Sequence, residues 1–465
     1  MDQPHNPRSS GDFASKTDPL ESALTRSHLD YTVRNPKSLQ LYNESVSHLP
    51  GGNTRTVLHA APFPLTYASG KSCMLTSVDG DTYTDFLGEY TAGIYGHSHP
   101  TILKAIHQAL SNGWNFGGNN LYEKELAKIV CDRFSPTLEM VRFTNSGSEA
   151  NLMAIGAAVN YTGRRKVLVF SNGYHGGTLG FPYPAPEKSI NVPHDFVVAP
   201  YNNIGKTRAL LFGLQPGSLA AILVEPVQGS GGVVEGRSEF LHYLREAATE
   251  YGALLIFDEV MTSRLSYRGL GSKLGIQPDL ITLGKWVGGG MSFGAFGGRK
   301  DIMAMFDPRN KILTHSGTFN NNVVSMAAGI AGCNLLNEGE LTKLNALGES
   351  LKKEVDALLT RYGLASKQAT DGISSATQQN GATVAEEKQP TMYINGVGSM
   401  LCVHFTGPRA QTLQALFYHH MLKENIYIAA RGFMALNIEL KQHHVDEFVA
   451  AVEKFLTHFE GALRT

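Results

Sequence analysis

A chain of 465 residues exceeds what one small core accommodates and points to two or three domains. Its 40 basic side chains almost balance 41 acidic ones, a formal net charge of -1, so no overall field favours nucleic acid or an anionic membrane and small molecules are the expected partners. With 42% apolar residues, 17% charged residues and 49 glycines, the composition is that of a soluble α/β enzyme with many tight turns.

Residues 1–25 are polar and rich in Ser, Asp and Pro, and read as a disordered tail. They lack the apolar stretch of a signal peptide, and no run in the chain approaches the ~18 apolar residues of a membrane span, so a cytoplasmic protein is expected. Around Asp79-Gly80, the stretch KSCMLTSVDGDTYTDFL alternates apolar and polar residues and predicts an antiparallel hairpin. Short apolar runs follow at 141–144, 166–170, 220–225, 254–258, 280–283 and 293–297, separated by helix-length segments. That is the pattern of buried strands in a mostly parallel sheet, and it places a large α/β domain at 93–334. The polar segment 366–390 reads as a mobile surface loop. Val445, Phe448, Val449, Val452, Phe455, Leu456 and Phe459 recur at helical spacing and predict an amphipathic C-terminal helix. Segments 26–92 and 335–465 are expected to fold together as a smaller α+β domain. Cys73, Cys131, Cys333 and Cys402 stand far apart without CxxC spacing, which reads as reduced thiols and not a zinc knuckle or disulfide framework.

Chemistry-bearing residues collect at the strand ends. In MVRFTNSGSEANLMA, a glycine-containing turn opens a helix, where free backbone N–H groups and the dipole suit a phosphate; Ser146 or Ser148 equally suits a plain helix cap. LLIFDEV ends a buried strand in Asp258, which is either a ligand-facing carboxylate or a structural aspartate holding a loop. Lys285, in ITLGKWVGGG, is either a surface lysine lying over apolar neighbours or an amine in a poorly solvated pocket, easily deprotonated and nucleophilic. Their order along the chain, with the aromatic-histidine pair of SNGYHGG between them, favours the functional readings. Gly96-His97-Ser98-His99 offers two histidines without a carboxylate or cysteine companion, and no metal is expected.

The segments TNSGSEAN, NGYHGGTLG, LVEPVQG, LIFDEVMTSR, PDLITLGKWVGGG and HSGTFNNN, in this order, resemble the class III (ω-type) aminotransferases, fold type I enzymes that use pyridoxal 5'-phosphate (PLP). The likeness runs from about Pro50 to the C-terminal helix. It implies that Lys285 is the Schiff-base lysine and general base, and that Asp258 keeps the pyridine nitrogen protonated. Ser146, Gly147 and Ser148 would form the phosphate cup, Tyr174 would stack on the ring with His175 beside it, and Val260 would cover the other face. Glu225 would orient groups near the cofactor's phenolic oxygen. Thr318 would reach the partner protomer's phosphate in a homodimer with shared active sites. Within the class, GGNTRTVLHAAPFPLTYASG, GEYTAGIYGHSHP and HSGTFNNNV are similar to the aromatic β-amino acid (β-phenylalanine) aminotransferases, and the wider neighbourhood contains glutamate-1-semialdehyde aminomutases. That likeness makes Arg55 and Arg431 the holders of substrate carboxylates, and a β-amino acid and an α-keto acid, such as 2-oxoglutarate or pyruvate, the expected substrates. Ala429 and Ala430 stand before Arg431 where the family often has serine and proline. The alternatives are an aminomutase or a transaminase of carboxylate-free amines; a catalytically dead PLP-fold protein is disfavoured because Lys285 and Asp258 are both present.

Overall fold

The computed structural model describes residues 18–364 and 391–464; the tail through residue 17 and the 366–390 loop lie outside them. Seven strands form one sheet in the order Met140–Thr144, Gly294–Gly298, Leu280–Gly284, Leu254–Asp258, Leu219–Val224, Lys166–Phe170 and Phe196–Ala199. Neighbours pair in parallel except Gly294–Gly298, which is antiparallel to both of its partners.

Burial on both faces explains the continuous apolar runs. Val167, Val169, Leu223, Ile256 and Leu280 pack against Ala150, Ala154, Ile155, Ala157 and Ala158 of the helix Gly147–Thr162. The alternate residues Leu168, Phe170, Ile222, Leu255 and Phe257 pack on the opposite face with Phe240, Leu241 and Leu244 of the helix Ser238–Glu250. Each large apolar side chain so buried contributes roughly 1.5–3 kcal/mol, so the sheet is a stiff platform for whatever stands at its edge. The first of these helices approaches closely because its inner face is alanine. Gly294 is required for the same closeness: a Cβ there would lie 2.1 Å from the carbonyl oxygen of Ser146 and 2.4 Å from Oγ1 of Thr144.

Both chain ends contribute to a second group of sheets. The hairpin joins Met74–Ser77 to Thr82–Asp85 as expected, and Tyr67–Lys71 extends it. Ile426–Tyr427 then pairs in parallel with Thr84 and Asp85, linking distant parts of the chain. A three-stranded sheet, Met392–Val397, Met400–Phe405 and Phe433–Ala435, lies beyond. The final helix, Gln442–Leu463, buries Val445, Phe448, Val452, Phe455 and Leu456, on the face that their spacing predicts.

Two features depart from the sequence reading. Residues 19–25 are not tail: the helix Pro19–Arg34 starts there, with Asp18 accepting a hydrogen bond from the N–H of Leu20 at 2.9 Å, proline at the first helical position, and Leu20 buried. The edge strand Phe196–Ala199 went unpredicted, because only one of its four residues is fully buried and its apolar run is short. Cys73, Cys333 and Cys402 are buried and Cys131 is partly so, all as free thiols. Among the described residues, no helix is long and apolar enough to cross a membrane.

Candidate active site

Five parallel strands deliver residues to one edge of the sheet. Ser146 follows Met140–Thr144, Tyr174 and His175 follow Lys166–Phe170, Glu225 follows Leu219–Val224, Asp258 ends Leu254–Asp258, and Lys285 follows Leu280–Gly284. The carboxyl ends of parallel strands are where open α/β sheets bind ligands.

Asp258 is buried, and a lone carboxylate there would be costly. It has four partners. Oδ2 accepts hydrogen bonds from Nδ1 of His175 and Nδ2 of Asn151, both at 2.8 Å. Oδ1 accepts from the N–H of Val260 at 3.1 Å and from Oγ1 of Thr282 at 3.4 Å. Thr282 also donates to Oδ1 of Asn151 at 2.8 Å, which fixes the orientation of that amide. Burial would lower the pKa of His175, but the hydrogen bond and charge of Asp258 outweigh it and the net shift is upward. Glu225 accepts from the N–H groups of Tyr174 at 2.8 Å and Gly229 at 3.2 Å; burial, with the charge of Asp258 adding to it, pushes this carboxyl up to about 7.

Lys285 adopts φ 53°, a left-handed conformation rare for a side-chain-bearing residue. Its partly buried Nζ donates to the carbonyl oxygen of Tyr90 at 2.7 Å. Burial pulls its pKa down to about 8, against the opposing charges of Asp258 and Glu89.

Ser146 caps the 16-residue helix Gly147–Thr162 by accepting from the N–H of Glu149 at 3.2 Å, so the capping reading holds in this structure. Ser148 Oγ accepts from the N–H of Gly177 at 3.3 Å. A Cβ on Gly147 would stand 2.9 Å from both γ-carbons of Val260. The free N–H groups of that helix start suit an anion. Buried Asp258 suits a protonated ring nitrogen, Val260 and the half-exposed Tyr174 offer an apolar and an aromatic surface, and Lys285 supplies an amine. This donor set fits a flat, phosphorylated pyridine carrying a carbonyl.

A second group stands at Lys285. Arg55 forms an ion pair with Glu89 at 2.7 Å and lies 5.8 Å from the centroid of the Tyr90 ring. Arg431 lies 5.6 Å from the same centroid, and its Nη1 donates to the carbonyl and hydroxyl oxygens of Ser230 at 3.2 and 3.1 Å. Gly88, Glu89, Tyr90 and Thr91 are all at positive φ. Such backbone costs of order 1–3 kcal/mol per non-glycine residue and persists only where surrounding structure over-determines it.

Thr318 stands outside this set of contacts: it is exposed, in a cleft lined by Trp114, Phe116 and Phe319. His97 is tied to Asp85 at 2.9 Å, and His99 caps the helix Pro100–Leu110. Among the described residues, no cluster of three or more His, Cys, Asp or Glu side chains could hold a metal. Sequence reasoning missed Tyr90, Glu89, Asn151 and Thr282.

The sheet order and the amine, carboxylate and helix start at its edge define an α/β enzyme of PLP fold type I. Residues 57–429 match the family "Aminotransferase class-III", and the chain belongs to that family. It is 45% identical to a β-phenylalanine transaminase of Variovorax paradoxus over 94% of this chain and 96% of the relative. It is 35% identical to a glutamate-1-semialdehyde 2,1-aminomutase of Clostridium kluyveri, over 91% of this chain and 100% of the relative. The crystal structure of a β-phenylalanine aminotransferase from Variovorax paradoxus superposes with a TM-score of 0.86 at 45% identity, covering 96% of this chain and 99% of that one.

Proposed function

We propose that this protein moves the amino group of a β-amino acid, aromatic and β-phenylalanine-like, to an α-keto acid such as 2-oxoglutarate or pyruvate, with PLP as cofactor. The observation that carries this reading is the convergence of an amine of lowered pKa and two arginines on one residue, Tyr90. The 45% identity to a β-phenylalanine transaminase supports the substrate class.

Bound at this edge, PLP would supply a carbonyl for the donor's amine and a protonated ring able to accept electron density. Asp258 holds the proton on the ring nitrogen, with His175, Asn151 and Thr282 fixing its carboxylate. Lys285 Nζ is the amine that would hold the cofactor's carbonyl carbon and would move the substrate proton. With a pKa of about 8, roughly a tenth of it is neutral at pH 7, against roughly one part in 3,000 for an ordinary lysine. The N–H groups at Ser146, Gly147 and Ser148 would hold the phosphate, Tyr174 and Val260 would flank the ring, and Glu225 would orient groups near its phenolic oxygen. Arg55 and Arg431 bind the substrate carboxylates with paired hydrogen bonds.

The reading includes a homodimer in which Thr318 reaches the partner's phosphate. The exposed Trp114, Phe116 and Phe319 around Thr318 support it, since such a patch on a free surface calls for a partner. It also includes a large unit at 93–334, a smaller one from both chain ends, and a cytoplasmic location consistent with four free thiols.

The test is incubation of the purified protein with β-phenylalanine and 2-oxoglutarate, measuring glutamate and 3-oxo-3-phenylpropanoate. Turnover of glutamate-1-semialdehyde without a keto acid would make it an aminomutase. Equal rates on carboxylate-free amines would make it an amine transaminase.

A further inference from the structure

We propose that Tyr90 is a positioning residue shared by both substrate-carboxylate arginines, setting the separation between the two carboxylate pockets. The proposal rests on the reading of Arg55 and Arg431 as carboxylate binders.

Both guanidinium carbons lie near one ring, at 5.8 and 5.6 Å from its centroid, within the distance at which a cation is attracted to an aromatic face. Arg55 is also tied to Glu89 and Arg431 to Ser230, and the ring is the contact that the two cations share. An aromatic face attracts each without neutralising either; Arg55 is ion-paired with Glu89 at 2.7 Å, so a substrate carboxylate bound there must displace Glu89. The ring is itself held on three sides. It stacks on Phe433 with centroids 5.8 Å apart and planes 18° apart, and Phe433 in turn faces Arg431 at 5.7 Å. Its hydroxyl donates to the carbonyl oxygen of Val57 at 3.3 Å, on the loop that carries Arg55. Its backbone sits in the run of positive φ from Gly88 to Thr91, and Gly88 is pressed so close to Ala435 that a Cβ would lie 2.1 Å from that carbonyl oxygen. The strand that ends in Ala435 begins with Phe433, so one short strand supports both the turn and the ring.

Each arginine serves mainly one substrate, but the ring serves both. A change at Tyr90 must therefore weaken both half-reactions, whereas a change at either arginine weakens one.

The experiment measures KM and limiting rate by stopped-flow in the separate half-reactions with β-phenylalanine and 2-oxoglutarate, with 1-phenylethylamine as carboxylate-free control. The variants are Tyr90→Phe, Tyr90→Leu, Tyr90→Met, Arg55→Ala and Arg431→Ala. Circular dichroism and PLP absorbance select the folded, loaded proteins. Tyr90→Phe keeps the ring and should leave both KM values within about twofold of the parent. Tyr90→Leu or Tyr90→Met should raise both by about tenfold, the scale of a partly desolvated cation–π contact, with 1-phenylethylamine unaffected. Unchanged KM in either half-reaction would overturn the shared role, as would an equal loss with 1-phenylethylamine, which would make the ring a wall for the apolar part of the substrate. If Arg55→Ala and Arg431→Ala leave both carboxylate substrates untouched, the arginine reading falls and the role of Tyr90 falls with it. If they act and the Tyr90 variants do not, only the role of Tyr90 is lost.

Discussion

Nζ of Lys285 donates a 2.7 Å hydrogen bond to the carbonyl oxygen of Tyr90, joining residues 195 positions apart in the chain. The amine thus has a fixed resting place in a site whose burial disfavours its charge. Its pKa of about 8 sets a measurable pH dependence. With Lys285 proposed as the amine that captures PLP, and only its neutral form able to attack, the capture rate of cofactor-free protein should rise with pH and level off above about 8. The fraction fixed by borohydride after short mixing reads this directly. A midpoint near the ordinary lysine value of about 10.4 would mean a solvated lysine.

Borohydride should fix the cofactor to the peptide that contains Lys285. Lys285→Ala should still bind PLP through the helix start at Gly147, yet lose turnover by several orders of magnitude. Peptide mass spectrometry decides the first point, and labelling of another lysine would refute the assignment.

Asp258→Asn keeps the shape but removes the charge proposed to hold the ring proton. It should retain part of the cofactor and lose most of the rate, and near-normal turnover would make Asp258 structural. Asn151→Ala removes one donor to Asp258 and the nearer acceptor of the Thr282 hydroxyl, leaving it only the longer 3.4 Å contact with Oδ1 of Asp258. Denaturant unfolding should show a loss of about 1–3 kcal/mol, the cost of stranding buried polar groups.

Arg55→Ala should damage the β-amino acid half-reaction most and Arg431→Ala the α-keto acid half-reaction, each by about 2–4 kcal/mol. Stopped-flow of each half-reaction measures this. Equal effects on 1-phenylethylamine would point away from carboxylate recognition.

Dilution should remove activity and cofactor together if Thr318 completes a partner's site. Phe319→Asp, placing charge among the exposed aromatic rings of the cleft, should bring dissociation to higher protein concentration. Light scattering alongside the assay tests both, and a fully active monomer would contradict the shared site.

The residues legible in the sequence were those that close a buried strand. Asp258 and Lys285 follow apolar runs with their order preserved, so the strand pattern that identifies the sheet also locates them. Tyr90 was not legible, because Gly88-Glu89-Tyr90-Thr91 contains one glycine and no local signal for four left-handed residues; the turn packs against the distant strand Phe433–Ala435, through Gly88 on Ala435 and Tyr90 on Phe433. Asn151 was hidden differently. It is a polar residue within an alanine-rich helix, and only the helix's placement on the sheet shows that its amide is fully buried against Asp258. The helix start at Pro19 was written in Asp18 and Pro19, but tail-like composition around it masked the cap.

The strand Gly294–Gly298 carries none of the proposed site residues, yet its surroundings leave almost no room for change. At Gly294 a side chain would strike the turn that opens the helix Gly147–Thr162, and at Gly297 a Cβ would lie 2.2 Å from the carbonyl oxygen of Met140. In a library of random variants screened for activity, these two positions should be as depleted of survivors as Lys285 itself. They would nonetheless fail for a different cause: the Lys285 variants would accumulate as folded, inactive protein, whereas the glycine variants would be missing from the soluble fraction.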